Sequence, residues 1–417
     1  DLHSFPTRRS SDLWQSPIIC SSIFDGEQYD ARLDIPQIHE PGIPPGLMNA
    51  HWAWAHNTND PVGEMVAQKI DPIRVVEQIT PTLLKEPKPG VYVYDAGRNV
   101  AGWAAIKMKG EAGTKITLRF AETVYDNGFV NRENLRNAKA EDSYILSGTG
   151  EEVWEPSFTY HGFRYVQVEG FPYPPKPGDI IIKVVRSDLK KTGSFHCSNP
   201  LLNDIHRMVV NTESANLHSV PTDCPQRDER MGWLNDLTVR IEQAIYNFDF
   251  SRFYPKFIDD IHDTQDKNGT ITCVAPFLFG VRPADPVSAS YLLLAQKCYQ
   301  FYGNKRIISD HFSGMKAWID YLYSRTNNGI VDYSYYGDWC PPRDFLMDPN
   351  GSGVSRDTPG QLMSTGYLYH CARLLSDMAQ AIDRKEDANH YKRLSEEIYT
   401  AFCQRSEERR VGKECRS

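Results

Sequence analysis

The chain has 417 residues, a net charge of −8 and 40% hydrophobic residues, the balance of a globular protein long enough for two or three domains. A sequence pI near 5.9 argues against a nucleic-acid partner, which would want a basic stripe, and no apolar run approaches the roughly 18 residues of a membrane span. Twenty-two Tyr, eight Trp and eighteen Phe supply rings for cores and for the apolar platforms on which sugars stack.

The two ends are set aside first. Residues 1–13 read like a translated sequencing adapter, and residues 405–417 like the translation of its reverse complement. The expectation is that 14–404 is an internal fragment of a longer protein; the alternative is a pair of charged, disordered tails. Cys20, Cys197, Cys224, Cys273, Cys298, Cys340, Cys371 and Cys403 follow no regular spacing. They read as small buried hydrophobes, not as a disulfide framework or zinc site, which points towards a reducing compartment such as the cytoplasm.

Residues 14–80 are rich in Pro and Gly and read as the end of a β-rich module plus a linker. Asp25-Gly26 signals a hairpin, and Pro72 to Val76 starts a new strand. Through 81–190, segments of period two (Val91–Tyr94, Ala105–Met108, Lys115–Phe120, Tyr165–Val168) alternate with Gly- and Pro-rich turns, predicting a β-sandwich. His161 reads as a structural histidine at a sheet edge. From 191 the period changes. Ser198-Asn199-Pro200 supplies a helix cap, and helical spacing then covers about 236–248, 251–266, 286–302, 306–323, 360–383 and 386–403. Seven helices in series predict α-hairpins in a bundle, solenoid or α/α barrel.

Chemistry concentrates in the loop 221–236. Asp223, Asp228, Glu229 and Asp236 stand with Arg227 and Arg230 and a lone Trp233. Buried charges at that density must pair or meet a polar ligand. Glycoside hydrolysis needs one carboxyl group kept protonated and a second acting as base or nucleophile; crowded acids beside an arginine have that composition. A structural salt-bridge loop is the competing reading. Metal binding is the weaker one, because no Asp-x-Asp-x-Asp-Gly pattern or His pair accompanies the acids. Asp338-Trp339 and Asp285 mark two further stretches of the same pocket, although Asp285 alone reads as a helix cap.

The run Asp-Cys-Pro-Gln-Arg-Asp-Glu-Arg-Met-Gly-Trp (223–233) resembles the signature of the bacterial α-L-rhamnosidases, glycoside hydrolase family 78. Tyr94 to Trp103, Glu133 to Arg136 and Phe158 to Tyr165 resemble the central β-sandwich of that family, and residues from 194 onward its (α/α)6 barrel. The resemblance implies an inverting exo-glycosidase that removes terminal α-L-rhamnose from a rhamnose-containing glycoside, with no cofactor and no metal. Glu229 would be the general acid. Asp223, Arg227, Asp228 and Asp236 would hold rhamnose hydroxyls, and Trp233 and Trp339 would pack on the sugar and its methyl group, with Asp285 on the same wall. The motif departs from the family at Leu234-Asn235, where Thr-Gly is usual, and at Pro283-Ala284-Asp285, which keeps the Asp without a Trp.

In the family the base is a Glu in a later Trp-Glu stretch, and none follows Trp339 here. Seven helices against the twelve of a closed barrel agree with that. The expectation is an incomplete (α/α)6 barrel without its base, inactive and poorly stable alone because apolar helix faces are left open. The alternatives are another exo-glycosidase on an α/α barrel, or a carbohydrate-binding protein without turnover.

Overall fold

A computed structural model of the chain describes residues 12–13, 16–34, 53–54, 66–341, 354–355 and 358–414. The expected adapter-like residues 1–11 and 415–417 and most of the linker 35–65 lie outside the described residues. The chain forms two compact units, one of residues 1–68, 74–186 and 224–228, the other of 69–73, 187–223 and 229–417.

The first unit is built on ten strands: β1 (Ile18–Ser22), β2 (Gly26–Asp30), β3 (Ile73–Ile79), β4 (Thr82–Lys88), β5 (Val91–Lys109), β6 (Lys115–Ala121), β7 (Glu141–Ile145), β8 (Glu151–Trp154), β9 (His161–Glu169) and β10 (Ile180–Ser187). They form one hydrogen-bonded sheet in the order β1-β2-β7-β6-β9-β5-β10-β3, with β4 and β8 also pairing to β5. The expected sandwich is thus a single curled sheet. The physical reason is β5, nineteen residues long, which pairs with four neighbours along its length. Its two ends are the segments that the sequence pattern separates. The Asp25-Gly26 signal is a true hairpin, with Ser22 opposite Gly26.

Alternation buries one face of each strand. Ile106, Ile116, Leu118, Phe120, Phe163, Val166 and Ile182 meet in one core. His161 is fully buried beside it; it pairs with Gly102 of β5 at the start of β9, an inner strand that also pairs with β6 from Tyr165 onward. Its Nε2 lies 3.0 Å from Asp142 Oδ1, and its ring stacks on Phe120. Burial with a carboxylate partner makes it a structural group.

Among the described residues the second unit carries seven helices: α1 (Pro200–Ala215), α2 (Leu234–Asn247), α3 (Phe253–Asp263), α4 (Ser290–Tyr302), α5 (Lys305–Ser324), α6 (Gly360–Ala381) and α7 (Lys385–Glu414). Asn199 caps α1 through its side chain, with Pro200 in the first turn, and Asn304 caps α5. Phe253, Tyr254, Phe257, Leu292, Phe312, Trp318 and Leu375 fill the core they share. Helix α4 begins four residues later than its spacing predicts, so Asp285 is not its cap. Helix α7 continues beyond the predicted stop at 403. On α1, Leu201, Leu202, Ile205, Met208 and Val209 are exposed, the open apolar face that the sequence leads one to expect. Four cysteines (Cys224, Cys273, Cys298 and Cys371) are buried as predicted, whereas Cys20 and Cys340 are exposed.

Candidate active site

In the second unit the loop before α2 is tied down from both sides. Asp223 accepts the Met231 N–H on Oδ1 at 2.8 Å, and its own N–H donates to Met231 O at 3.0 Å. Arg240 on α2 donates to Thr222 O at 2.9 Å and to the buried Glu213 of α1 at 3.2 Å. Further along, Ala275 N–H donates to Gly232 O and Leu234 N–H to Cys273 O, each at 3.0 Å. This short antiparallel clasp needs a glycine: a Cβ on Gly232 would stand 2.3 Å from Ala275 O.

The clasp sets the start of α2. Leu234 is fully buried, and its carbonyl accepts from the Ser290 hydroxyl. Asn235 accepts from Ser288 at 2.5 Å. The departure from Thr-Gly at these positions is therefore absorbed by packing and by one hydrogen bond to the segment before α4.

Three carboxylates gather here. One oxygen of Asp223 and one of Glu229 lie within 4.8 Å of each other. Asp236 sits in the first turn of α2. Its pKa is raised, mainly by desolvation, then by the Asp223 charge, with Arg240 pulling down and Glu229 adding a smaller push upward. Yet Asp236 is exposed to water.

Aromatic rings form the adjoining wall. Trp233 and Tyr336 meet edge-to-face at 5.6 Å, and Tyr336 and Trp339 likewise at 5.4 Å. Trp339 is 51% exposed. The Trp233 indole N–H is buried without a hydrogen-bond partner among the described residues. Burial, the neighbouring Cys273 thiol and the charges of Asp285 and Glu229 push the Tyr336 hydroxyl up to about 12, so it stays protonated at neutral pH.

Asp285 is placed differently from its expected seat on a sugar wall. It has no exposed surface. Its Oδ2 accepts the N–H groups of Tyr335 and, at 2.7 Å, of Tyr336, with the Ser334 hydroxyl at 3.2 Å; Oδ1 takes the Val287 N–H at 3.1 Å. A saturated, buried carboxylate has no surface for substrate; it holds the loop that carries Tyr336. Arg227 and Asp228 belong to the first unit. There Asp228 Oδ2 accepts the Asn137 N–H at 3.3 Å, and Arg227 partly offsets the rise that burial imposes on Glu122.

Sequence reasoning missed Tyr336, the ring between the two tryptophans. The available signal was the run Tyr333-Ser334-Tyr335-Tyr336 immediately before Gly337-Asp338-Trp339.

Family models match the chain along most of its length. The bacterial alpha-L-rhamnosidase 6 hairpin glycosidase domain matches residues 190–412, the concanavalin-like domain of the same proteins 85–186, and their N-terminal domain 5–77. An alpha-L-rhamnosidase of Streptomyces avermitilis is 34% identical over 93% of this chain and 36% of its own length. The solved alpha-L-rhamnosidase of Dictyoglumus thermophilum is 39% identical with a TM-score of 0.88, covering 93% of this chain and 43% of that one. The Streptomyces avermitilis structure, complexed with L-rhamnose, has a TM-score of 0.83 at 33% identity, over 93% and 36% of the two chains. The chain spans less than half the length of each of these relatives.

Proposed function

Because the chain belongs to the bacterial α-L-rhamnosidase family, we propose that it carries part of the machinery that hydrolyses terminal α-L-rhamnosides with inversion, and that Glu229 is the general acid. The supporting observation is the carboxyl cluster beside an aromatic wall: Asp223 and Glu229 within 4.8 Å, and Asp236 with its pKa raised by desolvation first and then by the charges of Asp223 and Glu229. Crowded carboxyl groups hold protons more tightly than isolated ones, and a glycosidic oxygen must receive a proton as it departs. By resemblance Glu229 delivers it. Asp223 and Asp236 accept hydrogen bonds from sugar hydroxyls, and Trp233 and Trp339 cover the ring and its methyl group. For Arg227 and Asp228 a sugar-holding role rests on the resemblance alone. Asp285 acts as a positioning residue through Tyr335 and Tyr336.

An inverting pair stands roughly 6.5–9.5 Å apart, so that water fits between base and sugar. The base in this reading comes from a further segment that would extend the seven helices towards an (α/α)6 barrel. The domain division is read the same way: an N-terminal β-module to about 80, the sheet domain to 190, and the helical catalytic domain after it.

The test has two arms. The chain itself should bind L-rhamnose with little turnover of an aryl α-L-rhamnoside, and hydrolysis at a rate comparable to a whole relative would remove the idea of an absent base. In the full-length product of the encoding gene, Glu229→Gln should lower kcat by about 10²–10⁴, and proton NMR should show β-L-rhamnose first. First-formed α-L-rhamnose would replace inversion with retention.

A further inference from the structure

We infer that Asp259, His311, Tyr291 and His262 form a proton wire across helices α3, α4 and α5, a pH-sensing device that passes a proton from the exposed His262 to the buried His311. The inference does not depend on the rhamnoside reading above. Lys69 Nζ donates to Asp259 Oδ2 at 2.8 Å, and Asp259 Oδ1 lies 3.0 Å from His311 Nε2. The Tyr291 hydroxyl lies 3.4 Å from His311 Nδ1 and 3.0 Å from His262 Nδ1. Tyr291 and His311 are buried, Asp259 is half-buried, and His262 is exposed.

The approach is tight because α5 carries a glycine there. A Cβ on Gly314 would stand 2.5 Å from the Tyr291 hydroxyl and 2.9 Å from His262 Nδ1. Just after α3, the Gln265 side-chain amide donates to Gly314 O at 2.9 Å and holds the two helices together beside the wire.

Donors and acceptors fix the direction of the wire. An ionised Asp259 only accepts, so His311 carries its proton on Nε2 and, when neutral, presents a lone pair at Nδ1. Tyr291 must then donate to His311, which leaves its oxygen to accept from His262 Nδ1–H. His262 is thereby held as the Nδ1–H tautomer, with its basic nitrogen, Nε2, outside the wire.

A proton taken up at His262 Nε2 can move inward by one exchange of bonds. His262 gives its Nδ1 proton to the Tyr291 oxygen as the Tyr291 proton passes to His311 Nδ1. His262 ends neutral with its proton on Nε2, and His311 ends as an imidazolium against Asp259. The wire takes one proton, not two. A second would leave two N–H donors facing a hydroxyl whose own proton then has no acceptor.

Burial and charge oppose each other at the inner end. Burial lowers the His311 pKa, and Asp259 offsets part of that, with His262 and Asp310 as smaller influences. Burial, and then the Asp259 charge, keep the Tyr291 hydroxyl protonated. The other charges around the wire are Asp260 and Asp263 of α3, Lys256 paired with Asp260, and Arg306 paired with Asp310 on α5.

Histidine-labelled NMR of the whole chain tests this through the nitrogen shifts of the two rings, assigned with His262→Gln and His311→Gln. At about pH 8, above the ordinary histidine value of roughly 6.5, His262 should be the Nδ1–H tautomer and His311 the Nε2–H tautomer. On acidification the two rings should titrate with one shared midpoint, each reporting part of the same proton. Tyr291→Phe, which removes only the hydroxyl, should split that midpoint and return His262 to the Nε2–H tautomer. An Nε2–H tautomer at His262 in the parent, or parent midpoints about one pH unit apart, overturns the inference, and neither result needs a variant to fold. A folded Tyr291→Phe chain that keeps the shared midpoint overturns it as well, because the rings would then be coupled by charge alone.

Discussion

Asp285 and Tyr336 are coupled through the backbone: the carboxylate accepts the Tyr336 N–H at 2.7 Å, and the ring on that same residue stands edge-on to Trp233 and to Trp339. A buried acid that touches no solvent thus fixes the ring joining two candidate sugar-stacking residues. Asp285→Ala leaves the Tyr335 and Tyr336 N–H groups without their acceptor. Hydrogen bonds to a charged group contribute roughly 1.5–3 kcal/mol each, so urea denaturation should show at least one such loss. L-rhamnose affinity should fall with it. A stability change under about 0.5 kcal/mol, the range of an ordinary surface substitution, would contradict this role.

Asp236 makes a pH prediction. Its native pKa lies above the ordinary value, first through desolvation and then through Asp223. The folded state therefore holds the proton more tightly than the unfolded chain, whose Asp titrates near about 3.9. Between those two values stability falls as pH rises, because the native state binds more protons there. Asp236→Asn removes that slope. The variant should gain stability relative to the parent as pH climbs from about 4, levelling off above the native pKa. Parallel curves for the two proteins in urea melts across this range would count against it.

Arg240 ties α2 to the buried Glu213 and to the Thr222 carbonyl. Arg240→Met keeps most of the side-chain volume but leaves Glu213 without its cation. Breaking a buried pair this way costs about 3–5 kcal/mol, lessened here because Gln243 still donates to Glu213 at 2.7 Å. The paired change Arg240→Met with Glu213→Leu should recover much of the loss, and a double-mutant cycle reads the coupling.

Gly232→Ala should be worse than its size suggests. The added methyl would meet Ala275 O at 2.3 Å and the Phe257 ring at 2.8 Å, so the clasp must open or α3 must shift. Overpacking of this sort costs about 1–3 kcal/mol. Thermal unfolding should show a lower midpoint, and a midpoint equal to the parent's would mean that the clasp is looser than its hydrogen bonds indicate.

Much of this architecture is legible in the residues. Asn199-Pro200 marks a helix start because a side-chain acceptor and a ring-fixed φ are local chemistry. The 223–233 motif points to the carboxyl cluster because crowded acids beside arginines have few uses. Reach in space is what local pattern does not carry. Gly97 and Gly102 interrupt the alternation of β5, so one strand reads as two; only its several partners keep it continuous. Asp285 has the composition of a cap or a ligand, and its actual partners lie about fifty positions onward, at 334–336. Tyr336 gains its importance from two rings that flank it only after folding.

The aromatic wall also has a consequence for how the chain acquires it. Its pieces are the segments 232–234, 273–275 and 334–336, joined by hydrogen bonds and rings across long stretches of sequence. None is stable as an isolated peptide turn, since each takes its partners from the others. Closing such loops costs chain entropy before any contact repays it. The wall therefore assembles only once α2 to α5 have found one another, and a nascent chain released before residue 336 would carry the acids of the motif without the surface they work against.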